Sequence, residues 1–113
     1  MTEKAVEAKL VKGVKDMGGL AYKFVSPGNI GVPDRLLIFP DGTIWFVELK
    51  ADNGRLSVMQ EHQIERLAKC NARVALLTGA KEVEHFLQDR REAQQRAIEH
   101  KFLNSWTRLN HEV

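Results

Sequence analysis

The apolar positions of the chain change period several times, and each change marks an element. Val6, Leu10, Val14 and Met17 recur at helical spacing behind Thr2-Glu3, which predicts an amphipathic helix capped by Thr2 and ended by Gly18-Gly19. Residues 20–26 alternate as a strand does and run into a loop, Ser26 to Gly31. Two short apolar runs, Leu36 to Phe39 and Ile44 to Val47, flank Pro40-Asp41-Gly42, the signature of a hairpin with a tight Asp-Gly turn. A turn over residues 51–56 follows, then a helix capped by Ser57 with Met59, Ile64, Leu67 and Ala68 as its apolar positions. Asn71, able to take the left-handed conformation, ends it, and Arg73 to Thr78 holds a buried-type strand. In the order α-β-β-β-α-β the last strand returns through a crossing helix and pairs parallel, so an α/β fold with a mixed sheet is expected. Residues 81–113 read as a polar helical stretch, expected as two helices, because Gln88 to Arg96 is nearly free of apolar residues. Phe102, Leu103 and Trp106 sit at helical spacing there. Such a cluster packs on its own domain or forms a dimer contact.

Composition narrows the picture modestly. One hundred and thirteen residues make one domain, with no room for a separate reading module. The net charge of +2 is spread so evenly that bulk electrostatics neither supports nor excludes nucleic acid as a partner. Cys70, the only cysteine, has no intrachain disulfide partner and is expected as a small buried thiol at a helix end. The start carries no apolar signal core and no window resembles a membrane span, so a soluble cytoplasmic protein is expected. The four histidines show no metal-ligand spacing, and no Walker, zinc or dinucleotide motif is present.

The chemistry gathers around the hairpin. Strand side chains alternate faces, so Glu48 and Lys50 point one way with Ile44 and Phe46, while Trp45, Val47 and Leu49 point the other. Asp34 precedes the first strand of the hairpin, at the end far from the turn, where Glu48 and Lys50 of the second strand also lie. Two carboxylates and an ammonium group then converge at one open end of a small sheet. Magnesium takes oxygen ligands in near-octahedral geometry and keeps several waters, so one or two carboxylates plus a substrate phosphate suffice to place it. A bound metal acidifies its water and stabilises charge on a phosphoryl oxygen. Lys50, a compact cation, could orient the attacking water or stabilise the phosphorane. The bland alternative is a Glu48–Lys50 ion pair with no catalytic role.

The ordered set Glu3, Gly18-Gly19, Gly31-Val32-Pro33-Asp34, Phe46-Val47-Glu48-Leu49-Lys50, Leu56-Ser57 and Gln60 resembles the PD-(D/E)xK nuclease superfamily. Within it the chain resembles the stand-alone VRR-NUC (virus-type replication-repair nuclease) family, over about residues 3 to 87. The resemblance implies a restriction-endonuclease-like α-β-β-β-α-β core, with 1–87 as the nuclease domain and 88–113 as a C-terminal helical extension. It implies a Mg2+- or Mn2+-dependent endonuclease acting on DNA, with four-way junctions or other branched DNA as a preferred target. Asp34, Glu48, Glu3 and the Leu49 backbone carbonyl would bind metal, Lys50 would serve the water or transition state, and Gln60 would complete the site.

Several choices stay open at this level. Glu3 and Glu7 lie four apart on one helix face, and either could reach the metal, with Glu3 the better match by its spacing to Val6 and Leu10. A solvated acid near the helix N-terminus is the alternative for both, and the stronger one for Glu7. Gln60 could orient a carboxylate or stand exposed. Lys23, Arg35 and Arg55 flank the proposed site as candidate phosphate contacts. A homodimer is expected, since one domain of this length offers one site and two opposed strands match a twofold axis. The competing function is a non-catalytic DNA-binding or assembly subunit with the same fold.

Overall fold

The computed structural model describes residues 1–111. Its elements are α1 (Glu3–Asp16), β1 (Leu20–Lys23), β2 (Arg35–Ile38), β3 (Ile44–Lys50), α2 (Val58–Lys69), β4 (Arg73–Thr78) and α3 (Gly79–His111). The four strands lie in the order β1-β2-β3-β4, with β1/β2 and β2/β3 antiparallel and β3/β4 parallel. This is the expected mixed sheet, reached through α2 as the crossover.

Local chemistry accounts for most boundaries. Thr2 Oγ1 accepts the Ala5 N–H at 3.1 Å and starts α1, and Gly18, at φ 85°, ends it. Ser57 and Gln60 form a complete capping box at α2, and Asn71 takes φ 61° just beyond that helix. The hairpin turn has Pro40 and Asp41 at its centre, with the Gly42 N–H donating to the Phe39 carbonyl at 2.8 Å. Asp41 then accepts from the Thr43 N–H and hydroxyl, at 2.9 and 2.8 Å. Burial, the largest single effect, raises the Asp41 carboxyl, but the two bonds from Thr43 together with the charges of Arg90 and Arg73 outweigh it and hold the group below its usual range.

The two faces of the sheet differ sharply. One packs Leu37, Val47, Leu49 and Leu77 against Val6, Leu10 and Val14 of α1 and Val83, Phe86 and Leu87 of α3, all buried. Gly13 lets the helices meet, because a Cβ there would drive into the Leu87 side chain. The other face is only partly covered. Phe24 stacks obliquely on Phe46 at 5.3 Å, and Gln63 of α2 donates to the Ile30 carbonyl at 3.2 Å. Leu20, Tyr22, Ile44 and Leu76 on that face remain 40–54% exposed.

Four expectations are corrected. The alternation from residue 20 ends as a strand at Lys23, one backbone bond (Phe24 N–H to Asp34 carbonyl, 2.9 Å) carrying the pairing slightly further. In α2 only Gln63 is buried, while Met59 and Ala68 are exposed, because the helix sits over a half-covered face. Cys70 caps α2 in the open and is exposed, not buried. Residues 79–111 form one continuous 33-residue helix rather than two. Gln, Arg, Glu and Ala in its middle are strong helix formers and need no apolar face to continue the hydrogen-bond ladder. At 1.5 Å per residue the helix is about 50 Å long, which accounts for the 61 Å long axis of the molecule. Its first half packs, with Arg90 stacked 5.1 Å over Trp45, and residues 95–110 are all exposed.

Candidate active site

Antiparallel pairing sets Arg35 opposite Val47, so the next step along the ladder brings Asp34 opposite Glu48. Asp34 Oδ2 accepts the Leu49 N–H at 3.1 Å, which ties this carboxylate to the strand carrying Glu48 and Lys50. Glu48 is 1% exposed, a buried carboxyl flanked along β3 by the buried Val47 and Leu49. Lys50 Nζ lies 3.9 Å from Glu48 Oε2 and 3.7 Å from Glu3 Oε1. One ammonium group therefore links the buried acid of β3 to the exposed acid at the start of α1.

The electrostatics of Glu48 are unusual. Its pKa is pushed up to about 8, first by burial and then by a hydrogen bond and charge repulsion from Asp34, with Lys50 opposing. Glu48 Oε1 is buried and has no hydrogen-bond partner among the described residues. A buried carboxylate with an orphaned oxygen, beside a second carboxylate, is the donor set a hard divalent cation requires. The residues present fit such an ion. Among the described residues, however, no three acidic, histidine or cysteine side chains form a ready-made metal cluster. The protein would supply two carboxylates, with water and phosphate as the remaining ligands.

The structure also separates the candidates. Glu7 is taken by Arg35, whose Nε lies 2.9 Å from Glu7 Oε2 and whose Nη1 donates to the Ala21 carbonyl at 3.3 Å. Glu3, not Glu7, faces Lys50, and Arg35 acts as a tie between α1 and β1. Gln60 Oε1 accepts the Ser57 N–H at 2.9 Å within the capping box; the hydrogen bonds of the described residues include none from Gln60 to Asp34, Glu48 or Lys50. Leu49 is buried in the core. Lys23 and Asp34 line one cleft of about 270 Å3 together with Glu3, Glu7 and Lys4. Arg55 is exposed on the loop before α2.

Two residues escaped the sequence reading. Lys4 lines the cleft beside Asp34 and Glu3; its signal was adjacency to Glu3 in the first turn of α1. Gln63, buried at 6%, clamps the loop leading to Asp34; a lone glutamine on a helix gives no such signal. Gly31 completes this clamp at φ 92°, where a Cβ would sit 2.6 Å from the Met59 backbone.

Comparison with known proteins agrees with this architecture. The model of the VRR-NUC domain family matches residues 4–81. "Putative nuclease p44" of Acyrthosiphon pisum secondary endosymbiont phage 1 is 45% identical over 75 residues, covering 66% of this chain and 81% of that protein. A solved VRR_NUC domain superposes with a TM-score of 0.70 at 32% identity, covering 78% of this chain and 97% of the other. A second, a VRR_NUC domain protein, superposes at 0.63 with 20% identity over 78% of this chain and 86% of its own, and shares the fold. The fold and the family match define a nuclease-type α/β domain. The chain belongs to the VRR-NUC domain family.

Proposed function

We propose that the protein is a divalent-metal-dependent DNA endonuclease, using Mg2+ or Mn2+, that hydrolyses phosphodiester bonds. The observation that carries this reading is the buried, partnerless oxygen of Glu48 beside Asp34, with Lys50 bridging Glu48 to Glu3. Membership of a nuclease family and the nuclease name of the phage relative support the same reading. Asp34 and Glu48 would hold the ion, with the Leu49 carbonyl and Glu3 as further oxygen donors. When bound, the ion would acidify a water and offset charge on the phosphoryl oxygens.

The chain's own residues do the rest. Asp34 is pre-oriented by the Leu49 N–H, so ligand placement costs little reorganisation. Lys50, only 14% exposed and held between two acids, presents a fixed positive charge where negative charge develops during phosphoryl transfer. Glu3 keeps that ammonium positioned, and Gln60 acts by fixing the start of α2.

The finer reading is a homodimer acting on branched DNA, with residues 1–87 as the nuclease unit and 88–113 as its extension. Two exposed apolar surfaces support self-association: the partly covered sheet face, with Tyr22 and Leu76 on its two outer strands, and the distal half of α3. There Ile98, Phe102, Trp106 and Leu109 fall on one stripe about 80° wide, with Leu103 beside it. A twofold dimer would set two sites against strands of opposite polarity. Labelled linear, nicked, flap and four-way junction DNA, incubated with Mg2+ or Mn2+, tests the whole reading. Cleavage that stops with chelator supports the enzyme; binding without cleavage under every condition replaces it with a non-catalytic DNA-binding subunit.

A further inference from the structure

A second, larger cleft of about 610 Å3 opens between α1 and β1 and shares Lys4, Glu7, Lys23 with the cleft at Asp34. Its walls carry five cationic side chains, Lys4, Lys12, Lys15, Lys23 and Arg35, against two acids. The cleft alone therefore holds a net +3, more than the +2 of the entire chain. Both acids are already matched: Glu7 by Arg35 at 2.9 Å and Asp16 by Lys12 at 2.8 Å. Lys4, Lys15 and Lys23 have no ion-pair partner among the described residues. Between the lysines the helix shows Ala8 and Val11, side chains short enough to let a bulky polyanion approach.

The spacing suits a nucleic-acid backbone. Lys4 and Lys15 lie on one stripe of α1, about 16 Å apart along its axis, the rise of about five nucleotides at 3.4 Å per step. Lys23 stands on the opposite wall, and the cleft runs from the site toward the C-terminal end of α1. We infer that this groove is the track for the phosphate backbone of a duplex arm leading away from the cut, with Lys4 and Lys23 at the site end and Lys15 at the far end. The inference rests on the endonuclease reading for the identity of the polyanion. It also assigns a role to lysines of α1 that the family site does not include.

The test is binding in chelator, so that no turnover intervenes. Fluorescence anisotropy of a labelled duplex, and of its single strand, is followed over about 50 to 200 mM salt for wild type, Lys15→Gln, Lys15→Gln with Lys23→Gln, and Lys69→Gln on α2 as control. The slope of log K against log salt should fall by about one for the single variant and about two for the double, with the control unchanged. Equal slopes in all proteins, an equal fall in the control, or a lysine-dependent response for single strands alone would overturn the proposal. A groove-dependent slope in a protein that cuts no DNA would keep the track and remove the nuclease reading. Cleavage with unchanged slopes would do the reverse.

Discussion

The Asp34 carboxylate accepts the backbone N–H of Leu49 at 3.1 Å, so the acid that precedes β2 is anchored to the strand residue lying between Glu48 and Lys50. This one bond makes hairpin register and site geometry the same property. A one-residue slip would turn Glu48 and Lys50 to the opposite face and leave Asp34 without its donor.

Asp34→Asn and Glu48→Gln remove ligand charge while keeping side-chain size. Each should lower the cleavage rate by roughly 10²-fold to 10³-fold or more, and calorimetric titration should show weakened metal binding. Circular dichroism and the thermal midpoint of each protein establish that the fold is retained. Normal turnover by either variant would remove its carboxylate from the site.

Lys50→Ala should lose most of kcat with little change in metal affinity, because an interaction made chiefly in the transition state affects turnover more than binding. Glu3→Gln, which touches Lys50 from an exposed position, should lose less. If Lys50→Ala lost metal binding yet kept its rate at saturating metal, the lysine would be structural.

The raised pKa of Glu48 makes a signed prediction for stability. Burial and Asp34 lift it from 4.5 to about 8 in the folded chain, so the folded state holds a proton that the unfolded state releases. Metal-free protein should therefore lose stability as pH rises from about 4.5 to about 8 and change little above that through this group. Glu48→Gln should flatten this part of the profile, and divalent cation should restore stability to wild type at high pH. Thermal midpoints in chelator across this range provide the measurement; a wild-type profile identical to that of Glu48→Gln contradicts the assignment.

Gly31→Ala combines a left-handed φ with collision against the Met59 backbone. It should cost on the order of 1–3 kcal/mol in denaturant unfolding and reduce activity by displacing the loop that carries Pro33 and Asp34. A neutral effect would show that the loop yields freely.

Deletion of residues 97–113 removes the exposed stripe of α3 while leaving its packed half in place. If that stripe forms the dimer contact, light scattering should give a dimer for the full chain and a monomer for the truncated one. A dimer surviving the deletion would move the contact to the open sheet face. A monomer mass for the full chain, free and with DNA, would rule out the dimer.

Much of this protein is legible in its sequence because the relevant forces are local. Period-two alternation and the Pro40-Asp41-Gly42 turn determine which residues of the hairpin face each other, and so bring Asp34 to Glu48. Thr2, Ser57 and Asn71 announce helix ends through bonds and dihedral angles confined to a few neighbours, and the family motif followed from the same residues. Other features depend on how separate elements dock. Glu3 and Glu7 are alike in sequence; the placement of α1 on the sheet gives one to Lys50 and the other to Arg35. The polar run Gln88 to Arg96 carries no apolar signal, yet helix propensity carries α3 straight through it. Cys70 and the apolar positions of α2 depend on a sheet face that the chain leaves half bare. The basic cleft is the clearest case: Lys4, Lys15 and Lys23 are dispersed in a nearly neutral chain. Only the packing of α1 beside β1 brings their charges around one groove, because Coulomb forces depend on distance in space and not along the chain.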